Sequence, residues 1–220
     1  MHVVDSLKQC PLFADIDEGQ LTALLGCLSA ATRSFQKDDF VFLAGNKATS
    51  IGIVLSGGVR VVQEDFWGHR MILSHVGPSG LFAEAFSCAG QQTLPVSVVA
   101  AELSDVMLVD YKKIISTCTN TCIFHAQLIL NMMRILAEKN IQLTRKMEFL
   151  SKRTTREKLL AFLSAQAQPA GNNVVEIPFN RQELADFLCV DRSALSRELG
   201  AMQDEGLLRF DKNKFELLGQ

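Results

Sequence analysis

The segment NRQELADFLCVDRSALSRELGAMQDEGLLRFDKNKFELLG, Asn180 to Gly219, governs how the whole chain is read. Asn180 can cap a helix by accepting from its first free N–H groups, and Glu183 stands three residues on, where it can return the bond. Behind this pair Leu184, Phe187 and Leu188 share one apolar face. A tight turn at Cys189 and Val190 leads to a second cap, Asp191, and a second helix on which Leu195, Leu199 and Met202 face inward. Arg192, Ser193, Ser196 and Arg197 occupy the exposed N-terminal part of that helix. Gly206 ends it, and LLRF, DKNK and FELL make a hairpin whose tip carries Lys212 and Lys214. Preceded by a strand in VVEIPF, this is the order of a winged helix-turn-helix.

The second helix of such a unit enters the major groove of DNA. Arginine can fork onto O6 and N7 of guanine, and serine can bond base edges or phosphates. The positive end of the helix adds attraction for phosphate. Two amphipathic helices with surface arginines also form plain helical hairpins. The paired caps, the short turn and the wing together favour a DNA reader.

Working upstream, Thr154 or Thr155 can cap a helix from Arg156 to Ala167, which Pro169 and Gly171 should stop. The run SKRTT before it reads as a hinge. From Cys122 to Leu150 there is neither Gly nor Pro, and apolar residues recur at helical period, which predicts a helix far longer than the ~11–12 residues of an average one. Ile129, Leu136, Leu143 and Leu150 follow one another at heptad spacing, with Met132, Met133 and Met147 in part of a second row. Such a seam fits a parallel partner helix from a second copy; packing on the chain's own N-terminal half is the alternative. Earlier still, Arg33 to Asp110 is a series of short β-rich runs punctuated by glycine, as in a compact antiparallel roll. Asp17 can cap a helix over Glu18 to Ala30 that packs on it.

The division expected is residues 1–118 for an effector-sensing roll, 119–151 for a dimerisation helix and 152–220 for the DNA-binding domain. The fold class is α+β. A net charge of −2 over 220 residues excludes a protein that coats nucleic acid non-specifically. No signal peptide is evident and no apolar run approaches the ~20 residues of a membrane span; a cytoplasmic protein with no membrane partner is expected. Six scattered cysteines suit reduced thiols. No Ser-His-Asp or Cys-His set, phosphate-cradling loop or metal spacing points to an enzyme.

From Leu7 to Leu218 the chain resembles the Crp-Fnr family of bacterial transcription regulators. The resemblance is carried by CPLFADID, SIGIVLSGGVRVV, ILSHVGPSGLFAE, YKKII and above all NRQELADFLCVDRSALSREL. It implies a cyclic-nucleotide-binding-like β-roll, a long dimerisation helix and a winged helix, acting as a homodimer on a palindromic DNA operator, with RNA polymerase as a further partner. Arg192 and Arg197 fall at recognition-helix positions used for guanine and phosphate, and Arg181 and Gln182 at the backbone-contacting start of the unit. Ser193 departs from the family's frequent Glu, and Cys189 from a turn glycine. A regulator of a protein partner, using its C-terminal unit for contact, is the competing class.

Relatives that bind cyclic AMP supply Gly-Glu and, about ten residues later, Arg-Ser; here the places read Ala83-Glu84 and Leu94-Pro95. Without the arginine the charge-assisted bond to the cyclic phosphate is missing, and cyclic AMP is not expected as effector. The oxygen-sensing branch carries several N-terminal cysteines; Cys10 stands alone in that region, and an iron-sulfur cluster is not expected. Cys118 and Cys122 suit a shared metal or disulfide, or two ordinary thiols at a helix entrance. A Cys10 to Cys189 redox pair and a heme on one of the dispersed histidines His2, His69, His75 and His125 are further options. An unknown, weakly polar effector among Phe82, Ala83, Glu84, Leu94, Pro95 and Val96, near Lys139 and Asn140, is the main alternative to an interior that those side chains fill themselves.

Overall fold

The computed structural model describes residues 3–47, 49–90, 92–115, 123–170 and 173–218. His2, Cys118 and Cys122 lie outside the described residues. The chain divides into two compact units, Met1–His69 with Leu73–Lys139, and Arg70–Ile72 with Asn140–Gln220. The division falls within the long helix, so that helix is shared between units, where the sequence suggested a separate segment.

In the first unit α1 (Val3–Lys8), a 3-10 turn (Pro11–Phe13) and α2 (Glu18–Cys27) precede β1 (Ala31–Phe35), β2 (Phe40–Phe42), β3 (Ser50–Ser56), β4 (Val59–Glu64), β5 (Arg70–Val76, of which Arg70–Ile72 count with the second unit) and β6 (Leu81–Phe82). Then come α3 (Glu84–Cys88), β7 (Ser97–Ala100), β8 (Ser104–Asp110) and α4 (Tyr111–Ile115). The strands form two sheets in the orders β1-β8-β3-β6 and β2-β7-β4-β5. Antiparallel register pairs Gly52 with Leu108 and Ile53 with Met107.

Strand β3 is buried on both faces, which accounts for its unbroken apolar run. By the two-residue period of a strand, Ile51, Ile53 and Leu55 enter a core with Leu7, Leu12, Leu21 and Leu24, while Val54 joins Val59, Phe82, Leu94 and Val96 in a second. Gly52 has a reason of its own: a Cβ there would stand 1.9 Å from the Phe82 ring, which occupies that space. Helix α2 is shorter than its apolar pattern suggested, ending at Cys27 instead of Ala30, because Ser29 turns left-handed (φ 49°) and Ala31 pairs into β1. Asp17 occupies the cap position, but its side chain makes no cap bond; its carbonyl accepts from Gln20 and Leu21 instead.

Helix α5 (Ile123–Leu150) buries Leu128, Met132 and Ile135 against the core beneath α1 and α2. Asn131 is buried beside them and donates to the carbonyls of Leu12 and Ala14 at 3.0 and 2.8 Å. Met132 therefore belongs to the roll and not to the seam where heptad counting put it. At 100° per residue it lies a step round from Met133, which is exposed. Elsewhere on the helix Leu143 is 58% and Met147 71% exposed, with Ile129, Leu136 and Leu150 half-buried and Leu136 packed against the core of the roll.

In the second unit follow α6 (Thr155–Ala170), β9 (Val174–Glu176), α7 (Arg181–Leu188), α8 (Arg192–Asp204), β10 (Leu208–Asp211) and β11 (Lys214–Leu217). Helix α6 continues past Ala167 to Ala170 with position 169 inside its last turn, since a proline there forfeits only one backbone donor. Thr154 is its cap, accepting from the Glu157 N–H at 3.2 Å. Leu159, Leu163, Leu184, Leu195, Leu199 and Phe215 are fully buried, each contributing ~1.5–3 kcal/mol of transfer free energy. Phe149, Phe162, Phe179 and Phe187 form an aromatic cluster, Phe179 stacking on Phe187 at 4.7 Å. No helix among the described residues is long and apolar enough to cross a membrane.

Candidate nucleic-acid interface

The helix pair α7–α8 is assembled from short-range bonds. The Asn180 side chain accepts from the Glu183 N–H at 3.0 Å, and the Glu183 carboxylate accepts from the Asn180 N–H at 2.9 Å, completing the capping box. At the far end Cys189 is left-handed, φ 52° and ψ 56°, a conformation that costs a residue with a Cβ about 1–2 kcal/mol. Its N–H and that of Val190 both reach the Ala185 carbonyl. The Lys158 ammonium donates to the carbonyls of Leu188 and Cys189 at 3.3 and 3.4 Å, closing the negative end of α7. Asp191 then starts α8, accepting from the Ala194 N–H at 2.9 Å and from the Ser193 hydroxyl. Those donors, with Arg197 nearby, hold its carboxyl below the usual aspartate range.

Leu195, Leu199 and Met202 are fully buried, which turns Arg192, Ser193, Ser196 and Arg197 to the surface. The Ser193 hydroxyl is engaged with the cap. Gln182 is exposed and donates to Asp186 at 2.8 Å. Arg181 is drawn inward: its guanidinium lies 4.6 Å from the Phe210 ring and 5.0 Å from Phe215, and burial lowers its pKa. It supports the wing, where cation–π contact with two rings holds the hairpin to the start of α7. Gly206, with φ 74°, terminates α8, and the Leu207 N–H returns to the Met202 carbonyl. In the wing, Phe210 pairs with Phe215 and Asp211 with Lys214, and β9 adds a third strand. Lys214 lies 3.6 Å from Glu176, while Lys212 is exposed at the tip.

The residues singled out in the roll separate into groups. Phe82, Ala83, Leu94 and Val96 are buried in one cluster, and Phe42 meets the Phe82 ring edge-on at 5.6 Å. Glu84 is 2% exposed, and its Oε1 is 2.7 Å from the Lys139 ammonium, which also donates to the Leu81 carbonyl at 2.6 Å. The other carboxylate oxygen, Oε2, is buried without a hydrogen-bond partner. Pro95 and Asn140 are exposed. Cys10 is buried, which pushes its thiol up to about 11; Cys189 is exposed. The Glu84–Lys139 bond escaped sequence reasoning, since nothing in either segment marks the two as partners.

Two family models match, a cyclic nucleotide-binding domain over residues 32–121 and a Crp-like helix-turn-helix domain over residues 157–218. The chain belongs to the Crp-Fnr family. Curated relatives of this family include the transcriptional activator protein FnrA of Stutzerimonas stutzeri, 25% identical over 197 residues that cover 84% of this chain and 76% of FnrA. The cAMP-activated global transcriptional regulator CRP of Haemophilus influenzae is 25% identical over 182 residues, covering 75% of this chain and 74% of that protein. Among solved structures, the c-di-GMP responsive regulator CLP of Xanthomonas campestris superposes with a TM-score of 0.75 at 20% identity, over 93% of this chain and 100% of CLP. FixK2 of Bradyrhizobium japonicum superposes at 0.69 and 20%, over 86% and 93%. The Crp-Fnr fold is thus shared by relatives whose descriptions give different effectors.

Proposed function

We propose that this chain is a homodimeric, sequence-specific DNA-binding transcription regulator whose reading helix is α8. The observation that carries this is the exposed quartet Arg192, Ser193, Ser196 and Arg197 on the capped N-terminal part of α8, with the opposite face fully buried. Arg192 and Arg197 supply guanine and phosphate contacts, and Ser196 and Gln182 add polar ones. Arg181 contributes through the wing it supports. Two copies joined along α5, with Ile129, Met133, Leu136, Leu143, Met147 and Leu150 on the seam, place two reading helices about 34 Å apart for successive major grooves. In that heptad frame Asn140 shares the row of Met133 and Met147, which makes it a seam residue before a pocket residue. RNA polymerase is the downstream partner in this reading.

The roll answers to something other than cyclic AMP. Leu94-Pro95 stands where cyclic-AMP-binding relatives carry an arginine, Glu84 is paired to Lys139, and Phe82, Ala83, Leu94 and Val96 are buried in one apolar cluster. In the sequence Cys10 is the one cysteine before Cys27, which argues against an iron-sulfur cluster there, and a thiol with a pKa near 11 holds little thiolate for redox exchange. A small, weakly polar effector remains compatible with the roll.

The test is fluorescence anisotropy on DNA that the wild-type protein selects from a random-sequence duplex library. Arg192→Ala and Arg197→Ala are each expected to lose roughly tenfold to a hundredfold in affinity while sedimenting as the wild type does. Unchanged affinity in both variants refutes α8 as the reader.

A further inference from the structure

Arg156, in the first turn of α6, uses all three guanidinium nitrogens on the reading helix. Nε lies 2.5 Å from Oε1 of Glu198, while Nη1 and Nη2 donate to the two carboxylate oxygens of Glu205 at 2.8 and 2.7 Å. Glu198 on α8 and Glu205 at its C-cap are seven residues, two turns, apart on one face, a separation of ~10 Å along the axis. One residue thus grips the helix at two points, which resists tilt and axial rotation in a way a single contact cannot. Only a planar fork can do this; an ammonium is a point charge.

The neighbouring residues fix Arg156 itself. The Glu157 carboxylate accepts from the N–H groups of Arg153 and Thr154, both at 3.1 Å, and Thr154 returns the bond to Glu157. The end of the SKRTT segment is thereby locked onto the first turn of α6, one residue from the fork.

We infer that Arg156 is a positioning residue for DNA reading, setting the angle at which α8 presents Arg192 and Arg197 and tying that angle to the hinge before α6. This rests on α8 being the reading helix. Arg156 itself acts through Glu198 and Glu205 and needs no base contact.

The experiment measures affinity for the library-selected duplex and for a scrambled duplex, and takes their ratio. Arg156→Ala and Glu205→Gln change the charge of the unit in opposite directions. A purely electrostatic role moves binding to both duplexes down in the first variant and up in the second and leaves the ratio alone. Positioning lowers the ratio in both, by roughly tenfold, and in Arg156→Lys as well, which keeps the charge and loses the fork. A ratio within twofold of wild type in Arg156→Ala and Glu205→Gln overturns the inference. Loss of the helical circular-dichroism signal in all three single variants also overturns it, by assigning the fork to folding. If the wild type selects no sequence at all, α8 is not a reader and the failure lies in the function proposed above.

Discussion

The head formed by α7 and α8 and the cassette around Glu84 handle their charges in opposite ways. On α8 the apolar face is buried completely and the arginines at the N-terminal end stand in solvent, with their acidic neighbours Glu198 and Glu205 neutralised from behind by Arg156. In the cassette the one carboxylate, Glu84, is sunk to 2% exposure and met by a lysine of the same chain. An output surface must keep donors unpaired for a partner to take. A cassette whose charge is already answered has less to offer an ionic ligand.

The sharpest way to break this contrast is at Lys139. Lys139→Met strands a buried carboxylate, and breaking such a pair from one side costs about 3 kcal/mol; denaturant unfolding should show it. Replacing Glu84 by Met as well should recover most of that loss while DNA affinity stays at the wild-type level. A double variant as unstable as the single one means that the pair is not self-contained.

A smaller effect is expected in the head at Cys189, which pays for a left-handed backbone with a side chain in place. Cys189→Gly should stabilise by up to about 1 kcal/mol in thermal melts, against the usual direction of a glycine substitution. Destabilisation would show that the thiol, facing Asp186 and the Lys146 charge, has a packing role that outweighs the strain.

A pH-dependent effect concerns Lys146, which donates to the Ile72 carbonyl at 2.7 Å, lies 3.9 Å from the centre of the Phe187 ring, and has its pKa pushed down to about 8 by burial, with Cys189 acting in the opposite sense. The folded state releases this proton near pH 8 and the unfolded chain holds it to the ordinary lysine value of 10.5. The unfolded state therefore binds more protons in that window, and stability contributed by this group rises with pH between them. Lys146→Met should flatten the rise, read as denaturation midpoints at pH 7.5 and 9.5. An unaltered slope places the titration elsewhere.

Much of the head was legible from sequence because its determinants are local. Asn180 with Glu183, Asp191 with Ala194, and Gly206 after α8 all act within a few residues. The same logic misfired at Asp17, whose side chain makes no cap bond, and at Ala167, past which α6 runs on to Ala170. Arg181 was visible as a cation near the unit's start, but not its place over Phe210 and Phe215, which depends on the wing folding back.

By itself the sequence determined the class of fold, the caps and turn of the reading unit, and the apolar face of each of its helices, since periodicity and first-turn hydrogen bonds are settled by near neighbours. Only the tertiary structure decided that Met132 turns into the roll while Met133 stays outside, that Lys139 answers Glu84, and that Arg156 grips α8. Those choices join residues dozens of positions apart, and a charge or a methionine has no preferred partner until folding brings one within a few ångströms.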